Sequence, residues 1–212
     1  MVRAPSFAGV ILAAGDSSRM GTDKALLLWP PRNSGQPLPA ETFLSAAIRS
    51  LALCDFVIVV VGKNEALLAP IVYAQGASLV VNPDPGRGQF SSLRVGLHEV
   101  LNRGRDAAIV TLIDRPPVSL LTVQTLRDAF AAAGDDTWAV IPEVLGKHGH
   151  PIVVGREMIE SFLRAAPDSS AREMIAQHRD RVRYVAVDDP SIALNINTPE
   201  EYGRLEAHIK AV

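Results

Sequence analysis

FAGVILAAGDSSRMGTDK, residues 7–24, passes from an unbroken apolar run into a loop of small and polar residues and closes on a lysine. An apolar run that does not alternate is the pattern of a strand covered on both faces, as in a parallel sheet. Runs of the same kind recur at FVIVVV (56–61), ASLVV (77–81), AAIVTLI (107–113) and WAVIP (138–142). Between them lie helical patterns at about 42–53, 64–74, 91–103 and 119–133. Strand and helix in alternation predict a doubly wound α/β sheet of the Rossmann kind in its broad sense. In such a sheet ligands sit beyond the carboxyl ends of the strands, so the loop after the first strand is the prime place for an anion.

The second half is less regular. It holds PIVV (151–154), a helix near 156–165, and a further helix opening with Ser170 and Glu173 at capping-box spacing. Then come the strand RVRYVAV (181–187) and a last helix, with Thr198 as N-cap, Pro199 at N1 and Glu201 at N3. PPRNSGQPLPAE (30–41), with four prolines, reads as a surface excursion rather than a domain boundary. One domain over 1–212 is expected, with a nucleotide-binding half at about 1–118 and an acceptor-binding half at about 119–212.

Composition narrows the partner. With 212 residues, 48% of them hydrophobic, the chain can bury a sizeable core. A net charge of −2 leaves no basic footprint for nucleic acid or an anionic membrane, so a small-molecule partner is expected. The lone Cys54 cannot form an internal disulfide, the N-terminus lacks a signal-peptide succession, and the apolar runs are too short to span a bilayer. A cytoplasmic location follows as the expectation.

The opening loop matches neither familiar phosphate motif. GxGxxG is absent, which speaks against a dehydrogenase, and Gly21 is followed by Thr-Asp-Lys rather than by the Lys-Ser or Lys-Thr of a P-loop. What residues 12–24 do resemble is the signature LAAGxSxRMGxDK of the nucleotidyltransferases related to the enzymes that attach CMP or GMP to molybdopterin, the MobA/MocA-like family. Leu12, Ala13, Ala14, Gly15, Ser17, Arg19, Met20, Gly21, Asp23 and Lys24 all fall on it. The resemblance implies a three-layer, mostly parallel sheet of the nucleotide-diphospho-sugar transferase type, with backbone N–H groups, Arg19 and Lys24 holding a triphosphate.

Three further segments are similar to the same family. GRGQFSSLRVGL (86–97) resembles its second nucleotide-binding segment through Ser92 and Gly96, although Ser91 or Ser92 could also simply cap the helix. LIDRPPV (112–118) places Asp114 where the family binds Mg2+, while Arg115 departs from the commoner pattern and faces either an acceptor phosphate or solvent. ALNINTPEEY (193–202) resembles the closing motif, with Asn195 as a neutral oxygen ligand after a short strand and Asn197 in the turn leading to Thr198. One carboxylate and one amide oxygen suffice for Mg2+, which keeps water and phosphate as its other ligands.

KHGHPIVVG (147–155) carries a Gly-His-Pro similar to that of the cytidylyltransferase branch, which implies an acceptor-side role for His150; a solvated hairpin histidine is the alternative. His148 and His150 have no further Cys or His ligands suitably placed for zinc. The expected activity is therefore Mg2+-dependent transfer of a nucleoside monophosphate, with release of pyrophosphate, to a phosphate-bearing acceptor. Molybdopterin, as molybdenum cofactor, is favoured as that acceptor. LAAG rather than LAGG favours CTP. Alternatives are a sugar- or polyol-phosphate acceptor, or a non-catalytic protein that binds or chaperones molybdenum cofactor for a partner enzyme; a molybdoenzyme or its chaperone is the expected protein partner.

Overall fold

The computed structural model describes residues 4–17, 20–30 and 41–210, the side chains of 206–210 excepted. In chain order the elements are β1 (Phe7–Leu12), β2 (Leu28–Trp29), β3 (Glu41–Thr42), α1 (Phe43–Ser50), β4 (Phe56–Val61), α2 (Glu65–Ala74), β5 (Ser78–Val81) and α3 (Gln89–Asn102). They continue with β6 (Ala107–Leu112), α4 (Leu120–Ala131), β7 (Ala139–Val144), β8 (Lys147–His148), β9 (Ile152–Gly155), α5 (Arg156–Arg164), α6 (Ala171–Gln177), β10 (Val182–Ala186) and α7 (Pro199–Lys210).

The main sheet runs β10-β7-β9-β6-β1-β4-β5, with β8 attached to β7 as a short hairpin. β5, β4, β1 and β6 are mutually parallel, as their unbroken apolar sequences predict, and every residue of β1 and β6 is buried. β9 is the exception. It lies antiparallel between β6 and β7, an orientation that the short run PIVV does not reveal by itself. The antiparallel pair β2–β3, the β8 hairpin and the short 3-10 turns likewise lack a sequence pattern of their own.

Period-two alternation along β1 divides its side chains between two cores. Phe7 and Ile11 face one layer, formed by α1, α2, α4 and α7 through residues such as Phe43, Leu68, Leu126 and Leu205. Ala8, Val10 and Leu12 face the other, formed by α3 and α5 through Leu97, Met158 and Phe162. Each of the larger of these side chains contributes about 1.5–3 kcal/mol on full burial. The result is the three-layer α/β/α arrangement expected. Among the described residues no helix is long and apolar enough to cross a membrane.

Local signals set the helix ends. Thr42 accepts from Ser45 N to start α1, and Ser119 accepts from Thr122 N to start α4. Ser170 and Glu173 form the reciprocal capping box, so the expected helix opens where its sequence places it. α3 starts at Gln89 behind Gly88, two residues earlier than the apolar pattern suggests, and neither Ser91 nor Ser92 caps it.

Candidate active site

The carboxyl ends of β1 and β6 open into a cavity of about 240 Å³, bounded by Leu12, Ala14, Gly15, Ser17, Lys24, Ser92 and Asp114 together with the loop before α3. Residues 90 or more apart in sequence meet here because β1 and β6 are paired in register, Leu12 opposite Leu112.

The first loop is held open by specific bonds. Ala13 N donates to Val60 O at 2.8 Å, which turns the Ala13 side chain into the core and leaves Ala14 on the cavity wall. Met20 plugs into the core and anchors the middle of the loop. Ser17 sits at φ 48° and Gly21 at φ 71°. The left-handed conformation costs a non-glycine residue on the order of 1 kcal/mol, and the bond from Lys24 N to Ser17 Oγ at 3.2 Å helps to offset it at Ser17. Asp23 Oδ1 accepts from Ala25 N, starting the short turn that carries Lys24, and Asp23 Oδ2 accepts from Asn64 Nδ2 at 2.7 Å. Asn64 also donates to Ala13 O at 2.9 Å and so ties both ends of the loop to the end of β4. Arg19, expected on the triphosphate, lies outside the described residues, as does nearly all of the proline-rich excursion.

Asp114 follows β6. Its main-chain oxygen accepts from Ile196 N at 2.8 Å, while Oδ1 is buried without a hydrogen-bond partner. A lone buried oxygen of this kind costs about 1–3 kcal/mol unless a ligand answers it. The Asn195 amide lies against the same carboxylate. With nitrogen as the near atom it donates to Oδ2 at 3.2 Å and to the main-chain oxygen at 3.3 Å, and its own oxygen accepts from Asn197 Nδ2 at 2.5 Å. Asn197 Oδ1 in turn accepts from Lys24 Nζ at 2.9 Å.

A continuous polar chain therefore runs Lys24, Asn197, Asn195, Asp114. Asn197, expected only as a turn residue, is the lysine's partner, and Asn195 is the asparagine that adjoins Asp114. Among the described residues no three or more His, Cys, Asp and Glu side chains are grouped so as to hold a metal ion. An orphaned carboxylate oxygen beside an amide does suit a hard cation, such as Mg2+, that retains water and phosphate.

The segment bearing Asn195 arrives through a 3-10 turn at Pro190–Ala193, not through the short strand expected. Contacts along its length fix it. Asp189 accepts from Ser119 N at 3.0 Å, Thr122 Oγ1 at 2.7 Å and Ser191 N at 3.0 Å. His150 N donates to Ile192 O at 3.1 Å. Gly149 leaves no room for a side chain, since a Cβ there would lie 1.9 Å from Ile192 O. The glycine of Gly-His-Pro is thus a point of close backbone approach.

Arg115 Nη1 donates to Leu194 O at 2.9 Å and its Nε is buried without a partner, so the guanidinium clamps the returning segment, a tethering role that the sequence does not disclose. Gly96 is placed by packing. A Cβ there would lie 2.7 Å from Val10 Cγ1 and 2.9 Å from Val60 Cγ2, so this glycine lets α3 approach the sheet and lines no described cavity. Ser92 does reach the cavity, where Asn82 Nδ2 donates to its hydroxyl at 2.9 Å. His148 stacks on Tyr184 at 4.1 Å between centroids and meets Glu143, a hairpin role away from the cavity.

Asn64 and Asn82 are absent from the expected site, although each is among the first polar residues after an apolar run, at the sheet edge where ligands bind. That position was the available signal.

Comparison with known proteins matches this arrangement. A family model described as the MobA-like NTP transferase domain covers residues 9–182. The chain is 30% identical over 209 residues to a probable molybdenum cofactor guanylyltransferase of Rhodopirellula baltica, spanning 94% of this chain and 91% of that one. It is 25% identical over 197 residues to the molybdenum cofactor cytidylyltransferase of Escherichia coli, spanning 91% and 92%. It superposes with a TM-score of 0.74 on the Mycobacterium tuberculosis protein Rv0371c in complex with manganese, at 25% identity and covering 95% of this chain and 98% of the other. With its opening loop, its sheet order and the greater part of its length all accounted for, the chain belongs to the MobA-like NTP transferase family.

Proposed function

We propose that this nucleotidyltransferase moves CMP from CTP to a phosphate-bearing acceptor, molybdenum cofactor being the acceptor its relatives favour, with Mg2+ as its metal. The observation that carries the reading is the convergence of Lys24 and Asp114 on one cavity at the ends of β1 and β6, with Oδ1 of Asp114 unpartnered and Asn195 set against the same carboxylate.

Asp114 would hold Mg2+, which neutralises charge on phosphate oxygens when bound, and Asn195 would join it as an oxygen ligand by turning its amide away from the bonds it makes to Asp114 and Asn197. The remaining work falls to the chain itself. Main-chain N–H groups of the loop after β1, with Arg19 and Lys24, grip the triphosphate and orient its α-phosphorus. A phosphate oxygen of the acceptor attacks that phosphorus in line, the bond to the bridging oxygen of the β-phosphate breaks, and pyrophosphate departs. The acceptor is already anionic at neutral pH, so no general base is needed and catalysis rests on positioning and charge. Ala14, on the cavity wall, is the residue through which the LAAG form would select CTP over GTP.

The test is a thermal-shift and pyrophosphate-release screen of CTP, GTP, ATP and UTP with Mg2+, with and without molybdenum cofactor. CTP-selective stabilisation with cofactor-dependent pyrophosphate release is expected. Stabilisation without release under any acceptor condition would instead favour the non-catalytic cofactor-binding protein.

A further inference from the structure

The four residues of the polar chain at the ends of β1 and β6 are not equally free to choose their hydrogen bonds. Lys24 can only donate and the Asp114 carboxylate can only accept, whereas Asn195 and Asn197 each carry one group of either kind. The ends therefore fix the sense of the middle. Lys24 Nζ donates to Asn197 Oδ1 at 2.9 Å, which turns the Asn197 amide nitrogen towards Asn195, where it donates to the amide oxygen at 2.5 Å. The Asn195 nitrogen is left facing Asp114, at 3.2 Å from Oδ2 and 3.3 Å from the main-chain oxygen. All the bonds run one way, from lysine to carboxylate.

A hard cation on Asp114 needs the reverse from Asn195, since only the amide oxygen can bind it. Turning one amide is easy in itself, because its terminal torsion is broad and two-fold. The change does not stay local. A turned Asn195 points its NH2 at the NH2 of Asn197, so Asn197 must turn as well, and its own NH2 then faces the Lys24 ammonium, donor against donor. Lys24 must exchange Asn197 for another acceptor. The first cavity, which Lys24 borders together with Gly15 and Ser17, is where a triphosphate offers one. The main chain does not have to follow, because Ile196 N is bonded to Asp114 O and Asn197 N to the Glu201 carboxylate.

We infer that Asn197 is a positioning residue that couples the two charged ligands of the site: it holds Lys24 while the cation is absent and hands it to the triphosphate when the cation draws Asn195 round. This rests on the assignment of Asp114 and Asn195 to Mg2+, and adds to it a route through the protein by which cation and nucleotide favour each other. Such a coupling is reciprocal, so a triphosphate that draws off Lys24 also frees Asn195 for the cation. Asn197 acts only through its two neighbours in the chain.

The experiment follows Lys24 in the nucleotide-free whole chain, by carbon NMR of lysine labelled at Cε, while Mg2+ is added, and measures Mn2+ affinity by electron paramagnetic resonance. The lysines are Lys24, Lys63, Lys147 and Lys210, so the signal is assigned with Lys24→Met. In wild type the Lys24 signal should move as Mg2+ fills the site. Asn197→Ala leaves Asn195 free to turn, so Mn2+ should bind roughly three- to ten-fold more tightly, the equivalent of about one hydrogen bond, and Lys24 should lose most of its response to Mg2+. Asn197→Asp accepts at both ends, so it keeps Lys24 with or without the cation and should abolish the response too. A packing defect would weaken Mn2+ instead of tightening it. A Lys24 signal that ignores Mg2+ in wild type while Mn2+ binds, or Mn2+ affinity unchanged or weakened in Asn197→Ala, would overturn the coupling and leave the metal assignment standing. Mn2+ affinity untouched by Asp114→Ala would remove the metal assignment, and the coupling with it.

Discussion

The loop after β1 and the segment 189–197 deliver the two halves of the candidate site, and they are built differently. The first is one continuous motif, positioned by the register of parallel strands and by main-chain bonds such as Ala13 N to Val60 O. The second is held from outside, by Asp189 on the start of α4, by Gly149 and His150 under Ile192, and by Arg115 on Leu194 O. A site half that is written in one stretch of sequence is secured by the sheet. A half that returns from far along the chain needs its own tethers, and these are single side chains.

The largest effect is expected where the two halves meet. Asp114→Ala removes the unpartnered oxygen and the proposed metal ligand but keeps the main-chain bond to Ile196, so folding should be little affected. Divalent-metal-dependent pyrophosphate release should fall at least 100-fold, roughly the several kcal/mol that a bridging ion supplies. Turnover within a few-fold of wild type would show that the two halves meet for some other purpose.

Next come the tethers, which test whether the returning half is separable. Gly149→Ala forces the Pro190–Ala193 turn aside and should cost about 2–3 kcal/mol, a fall in Tm of roughly 5–10 °C for a chain of this size. Arg115→Ala should be milder in stability, about 1 kcal/mol for one hydrogen bond, yet selective in effect. Manganese affinity, measured by electron paramagnetic resonance, should drop several-fold as Asn195 loses its seat, while metal-free nucleotide binding at the first loop stays as it was. Equal loss of both affinities would mean that the two halves are one mechanical unit.

This contrast also explains what the sequence discloses. The parallel core is legible because burial on both faces leaves an unbroken apolar run, and Asp114 and Ser92 are legible because they stand at strand ends or in a contiguous motif. The tethering role of Arg115 and the packing role of Gly96 are not legible because they depend on what approaches from elsewhere, Leu194 O in one case, Val10 and Val60 in the other. Asn197 is undervalued for the same reason, since its lysine partner lies 173 residues away. The orientation of β9 follows from pairing with β6 and β7, a non-local choice that four apolar residues do not encode.

The smallest expected effect falls inside the first half and separates two adjacent alanines. Both stand in the LAAG motif, but the strand register makes them unequal: Ala13 is packed with Met20 and Ala25 in the core, and Ala14 faces the cavity. If the wall at residue 14 decides how near a base can approach, Ala14→Gly should move the CTP-to-GTP ratio of kcat/KM by several-fold, about 1 kcal/mol in differential transition-state binding. Ala13→Gly should leave that ratio alone and lower Tm instead, because it removes a buried methyl and loosens the chain. A ratio that shifts equally in both variants would point to loop flexibility, not wall shape, as the source of base choice. An unchanged ratio in both would place the selection on the far side of the cavity, at Ser92 and the loop before α3, where Asn82 holds the serine hydroxyl in place.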